Sequence, residues 1–156
     1  MSRPVEVITK EEFEAMAKAT SGPFAERDLA ILVLIANSGL RVSELCGLDI
    51  SDVLGADGRV KTVLKVRKEI AKGKRERFIP LNSKALDAVK TLVELARNND
   101  LGMASDSPLI QGRKRGRFTR QQVHRVLSGM AKKACLDIRV YPHKLRHTFA
   151  TKVLRE

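Results

Sequence analysis

Gly39-Leu40-Arg41-Val42-Ser43-Glu44-Leu45 follows a run that is apolar almost without a break, Leu29-Ala30-Ile31-Leu32-Val33-Leu34-Ile35-Ala36. From Glu26 to Asn37 that run has the length of a buried helix. Gly39 ends it as a left-handed cap, and Val42 to Cys46 start another short helix. Between the two helices stands Arg41. Its always-charged guanidinium is costly to bury in such a setting unless an anion awaits it. Far along the chain, His143-Lys144-Leu145-Arg146-His147-Thr148-Phe149-Ala150-Thr151 sets a second arginine in helix-like apolar surroundings. His143 lies one turn before Arg146, so both fall on one helix face. Two such arginines and a histidine suggest a pocket for a phosphate.

Working outward, Thr9 with Glu12 forms a capping box for a helix to about Ala19, with Phe13 and Met16 on one face. Ser21-Gly22-Pro23 breaks it. Lys61 to Arg67 alternates and is β-branched, as a strand should be, and Arg77-Phe78-Ile79 returns after a tight turn at Ala71-Lys72-Gly73-Lys74. Ser83 caps a helix to about Arg97, with Leu86, Val89, Leu92, Val93 and Ala96 inward. Gln111 to Arg117 reads as a flexible basic loop. Thr119 with Gln122 opens a helix to about Cys135, and Pro142 starts the last one. The expected fold class is mostly α with a small antiparallel β-sheet (α+β), in one domain over 1–156.

The chain carries 30 Lys+Arg against 18 Asp+Glu, a net charge of +12. That balance favours a polyanionic partner, nucleic acid before a membrane surface. No apolar run approaches the ~20 residues of a membrane span, and no signal-like core follows Met1. Cys46 and Cys135 are isolated, which fits a reduced, cytoplasmic protein. With no Cys/His cluster, glycine phosphate loop or paired carboxylates, neither a metal, a nucleotide nor another cofactor is expected.

Cleaving a phosphodiester without metal requires other positive charge on the pentavalent phosphorane. Arg41 and Arg146 can grip its non-bridging oxygens through their planar forks. The alternative for Arg41 is an ion pair with Glu44. His143 can take a proton or hydrogen-bond the phosphate, and His147, offset by one residue, reads as support. Lys72 at the turn can act as a general acid on the leaving oxygen or simply touch a phosphate, and its position alone does not decide. Lys74, Arg75 and Arg77 read as DNA contacts. So do Arg113, Lys114, Arg115, Arg117 and Arg120, the densest basic run, which leads into a helix N-terminus. A plain solvated loop is the other reading of that run.

The wording of five segments resembles the tyrosine recombinase (phage integrase) family, of the XerC/XerD, phage or integron type. They are Ile8 to Phe13, Asn37 to Leu45, Gly47 to Val53, Ala71 to Leu81 and Pro142 to Thr151. The resemblance implies that Arg41 and Arg146 are the two catalytic arginines. It implies that Lys72 protonates the leaving 5′-oxygen, that His143 heads the HxxR box, and that Glu44 orients the first arginine. It further implies duplex DNA as partner, a tetramer of protomers on it, and a 3′-phosphotyrosyl intermediate. In the family the nucleophile lies well beyond the HxxR box, whereas the one tyrosine here, Tyr141, precedes it and reads as structural. The expectation is a catalytic-domain fold lacking its C-terminal helices and the N-terminal core-binding domain. Such a chain binds DNA but does not cleave it alone, and it exposes apolar surface around Phe149, Val153 and Leu154. The competing reading is a DNA-binding regulator without chemistry. A type IB topoisomerase-like enzyme uses similar chemistry, but the wording of the two arginine segments points away from it. An RNA-binding protein fits the charge yet leaves both segments unexplained.

Overall fold

The computed structural model describes residues 8–98, 104, 106–112 and 116–136. Over these the chain is mostly helical with one small antiparallel sheet, the class expected. In order it runs α1 (Lys10–Ala19), α2 (Ala25–Ser38), α3 (Val42–Gly47), α4 (Ile50–Val53), β1 (Val63–Val66), β2 (Arg77–Pro80), α5 (Ser83–Asn98) and α6 (Arg120–Lys133).

The apolar run becomes α2, whose Ile31, Leu32, Leu34 and Ile35 are fully buried. Each such side chain contributes about 1.5–3 kcal/mol through the surface it removes from water. Its main partner is α5, which presents Ala85, Ala88, Val89, Leu92, Val93 and Ala96. The stripe follows helical spacing from Ala85, so Leu86, expected to face inward, sits half-buried at its margin. Gly39 caps α2 with φ 73°, a backbone state glycine reaches without strain. The start of α5 corrects the sequence reading. Asn82, not Ser83, is the cap: its Oδ1 accepts the Ala85 N–H at 2.8 Å. The Asn82 amide also donates to Asn37 Oδ1 at 3.2 Å, tying the start of α5 to the end of α2.

The capping boxes of α1 and α6 both form. Thr9 Oγ1 accepts the Glu12 N–H and Thr119 Oγ1 accepts the Gln122 N–H, each at 3.1 Å, and both exchanges are reciprocated. The turn α4 has no counterpart in the sequence reading, because four residues are too few to display a period. Its neighbourhood is fixed by Ser107 O, which accepts the Ile50 N–H at 2.8 Å, and by Leu48 O, which accepts that of Leu109 at 2.9 Å.

The strand expected over Lys61 to Arg67 pairs only from Val63 to Val66. The register is Val63 with Pro80, Leu64 with Ile79, Lys65 with Phe78 and Val66 with Arg77. Leu64 and Val66 face the core, while Val63 and Phe78 stay exposed. The connection between the strands closes a turn in which Lys74 N–H donates to Ala71 O at 3.1 Å, with Gly73 at φ 82° and Lys74 at φ 56°. The basic loop from Gln111 is pinned at its neck rather than free. Gln111 and Arg117 form an antiparallel bridge, and Gly112 N–H donates to Gly116 O at 3.0 Å. The helix expected from Pro142, Tyr141, and the apolar residues Phe149, Val153 and Leu154 lie outside the described residues.

Candidate functional site

Arg41 is the N-cap of α3, extended at φ −72°, ψ 150°. Its backbone N–H donates to Glu44 Oε1 at 2.9 Å. Glu44 is fully buried. A carboxylate there needs a counter-charge, and it comes from β2. Arg77 Nη2 donates to Oε1 at 2.7 Å and Nη1 to Oε2, a fork-on-fork pair. Burial alone would raise the Glu44 pKa. The Arg77 hydrogen bonds, the Arg41 N–H and the charges of both arginines outweigh it and hold the carboxyl below its ordinary value. The Arg77 guanidinium is in turn raised, chiefly by its bonds to Glu44.

This bears on the alternative raised for Arg41. Glu44 takes the Arg41 backbone N–H but pairs with the side chain of Arg77, and among the described residues no carboxylate pairs with the half-buried Arg41 guanidinium. Arg77, read from sequence as a DNA contact, has its fork occupied inside the protein. A cation in β2 and an acid in α3 are 33 residues apart, and nothing local in the sequence announces their meeting.

A second cluster lies beside the first. Arg67, just past β1, donates through Nε to Asp52 at 2.7 Å and through Nη2 to Gly47 O at 3.0 Å and Asp49 at 3.3 Å. Arg117 donates to Cys46 O at 3.1 Å, Leu48 O at 3.2 Å and Asp49 Oδ1 at 2.5 Å. It too was read as a DNA contact, and it too holds protein groups. Sequence reasoning missed Arg67, Asp49 and Asp52. The one available signal was spacing: Asp49 precedes Asp52 as Arg41 precedes Glu44, and the Asp49 N–H likewise donates to the third residue's carboxylate, at 2.8 Å.

The two clusters dock the β1–β2 connection on α3. Ile70 packs so closely on Gly47 that a Cβ there would lie 2.7 Å from Ile70 Cγ2. The turn carrying Lys72 therefore sits against the helix that Arg41 opens, with Lys72, Lys74 and Arg75 exposed to solvent. Arg120 is exposed in the first turn of α6, which touches α3. Cys46, within α3, is buried. Burial pushes its thiol up to about 11, against the opposing pull of Arg117 and Arg120. His124 is on the surface. His143, Arg146, His147, Arg113, Lys114 and Arg115 lie outside the described residues. Among the described residues no cluster of His, Cys, Asp or Glu could hold a metal ion, and no helix is long and apolar enough to cross a membrane.

Residues 6–156 match the family described as the phage integrase family. The chain is 38% identical over 138 residues to the tyrosine recombinase XerC of Bacillus subtilis, covering 87% of this chain and 43% of the relative. It is 34% identical over 149 residues to the tyrosine recombinase XerD of Halalkalibacterium halodurans, covering 94% of this chain and 48% of the relative. The chain thus spans about half the length of the curated relatives it matches. Among solved structures it resembles XerA recombinase, with a TM-score of 0.79, 30% identity, and 99% of this chain and 50% of the other covered. The Tn1549 transposon integrase in complex with a circular intermediate DNA has the same fold, with a TM-score of 0.79 at 19% identity, over 99% of this chain and 55% of the other. By sequence match and by fold, the chain belongs to the phage integrase family, the tyrosine recombinases.

Proposed function

We propose that these residues form the phosphate-activating part of a site-specific DNA recombinase. The observation that carries this reading is the Arg41 guanidinium: its neighbouring acid is already paired with Arg77, so its charge is available to an anion. In this reading Arg41 and Arg146 neutralise the non-bridging oxygens of the scissile phosphate. His143 hydrogen-bonds the phosphate or takes the nucleophile's proton, with His147 in support. A tyrosine oxygen bonds to phosphorus as the bond to the 5′-oxygen breaks, and Lys72 gives that oxygen its proton. The product is a 3′-phosphotyrosine and a free 5′-hydroxyl. Lys74, Arg75, Arg113, Lys114, Arg115 and Arg120 hold the DNA backbone, and Arg77 and Arg117 act from within. The working assembly is a tetramer of protomers on duplex DNA, needing neither metal nor nucleotide. Tyr141 is structural, so the 156-residue chain by itself binds duplex DNA without cutting it.

A fluorescence-anisotropy titration of the chain against duplex DNA over a range of salt tests this. Affinity falls with salt at ~0.9 log units per log unit for each phosphate neutralised. Arg41→Ala lowers that slope by about one contact. A flat salt response overturns the reading, and a covalent adduct between the isolated chain and DNA overturns its last part.

A further inference from the structure

We infer that Arg77 is a positioning residue: by occupying Glu44 it keeps the Arg41 guanidinium available to DNA. The inference rests on the reading that Arg41 meets a phosphate. Its grounds are three contacts. Glu44 lies one turn from Arg41 on the same short helix and already holds the Arg41 backbone N–H at 2.9 Å. Left without Arg77, this fully buried carboxylate would need another cation. The Arg41 side chain, attached to the residue whose N–H it binds, is the nearest candidate on its own helix. Arg77 forestalls this by filling both carboxylate oxygens at once. A lysine could fill only one as well, because its ammonium has no fork. The pair also joins β2 to α3, so the residue that spares Arg41 also anchors the hairpin whose turn carries Lys72.

The experiment counts phosphate contacts through the salt slope of duplex binding by the 156-residue chain. Arg41→Met and Arg77→Met are each expected to lower the slope by ~0.9, one contact. Arg41→Met/Arg77→Met is expected to lower it by the same single contact, because both changes remove one interaction. Glu44→Gln placed in the Arg77→Met background restores the lost contact, since the neutral amide oxygen still accepts the Arg41 N–H but no longer attracts its guanidinium. Asp87→Asn, which removes the same formal charge from the exposed face of α5, restores nothing. Two lost contacts in the Arg41→Met/Arg77→Met chain would show Arg77 touching phosphate itself and overturn the inference. So would an unchanged slope in folded Arg77→Met, or no recovery with Glu44→Gln. If melting shows Arg77→Met unfolded, Arg77→Lys takes its place in the same cycle, with a partial loss that disappears in the Arg41→Met background. A native chain that fails to bind duplex overturns the functional reading itself, whereas a binding chain with additive variants overturns only the role of Arg77.

Discussion

Helices α3 and α4 start alike and end up with different electrostatics. Each opens on a residue whose N–H donates to an acid three positions on, Arg41 to Glu44 and Asp49 to Asp52. Each acid is met by an arginine from the hairpin, Glu44 by Arg77 and Asp52 by Arg67. The difference lies in the cap. In α4 it is an aspartate, which draws in Arg67 and Arg117, so two acids balance two cations. In α3 it is an arginine, so one acid stands beside two cations and pairs with the side chain of only one, Arg77. The α4 cluster is closed and serves as a staple. The α3 cluster carries one positive charge more than it can neutralise, which is the property an anion site requires.

The sharpest way to break that comparison is to remove the acid from each cluster. Asp52→Ala leaves the Arg67 pair broken in a site where the acid is 5% exposed, and a loss of about 3 kcal/mol in a urea melt is expected. DNA affinity of the folded protein stays as it was. If Asp52→Ala changes the salt slope as Arg41→Ala does, the two clusters are not distinct. Next in size is Gly47→Ala, which drives a methyl group into Ile70. A cost of about 1–3 kcal/mol is expected in the same melt, together with displacement of the Lys72 turn.

Acid probes the α3 cluster. The folded Glu44 pKa lies below its usual 4.5. Its contribution to stability is therefore present above that value and is lost as pH falls through the folded pKa. Glu44→Gln should flatten the stability profile below pH 4.5, measured by melts at stepped pH. Profiles that stay parallel would remove Glu44 from the account. Thr119→Ala tests the frame outside both clusters, with an expected cost of about 1 kcal/mol in thermal unfolding. The smallest change belongs to Lys72→Ala. Exposed and without a described partner, it should alter stability by less than about 0.5 kcal/mol, so any effect on DNA is free of a folding artefact.

What the sequence made legible was local. Capping boxes at Thr9 and Thr119, the αL glycine after α2 and the apolar run of α2 each depend on residues within a few positions. They read correctly because the interaction and the spacing coincide. The cap of α5 was misplaced by one residue because Asn and Ser both cap well and they stand side by side. The family wording singled out Arg41, Glu44 and Lys72, but it carried no information about which cation Glu44 would hold. Arg77 reaches Glu44 across 33 positions and Arg117 reaches Asp49 across 68. Such pairings are set by how β2 and the segment before α6 pack, so the two arginines were legible only as surplus charge. The strand read from Lys61 to Arg67 was too long at both ends: the Lys61 N–H donates to Val53 O, and the Arg67 side chain is held by Asp52.

Cys46 gives this architecture a built-in clock. The thiol lies within α3, between Leu45 and Gly47, shielded from water and reluctant to ionise, while Cys135 stands exposed just past α6. A thiol reagent at neutral pH should therefore tag Cys135 promptly and Cys46 only during moments when α3 lifts away from its neighbours. The lag between the two labels is a direct reading of how often the Arg41 helix opens, taken without touching a single residue of the site.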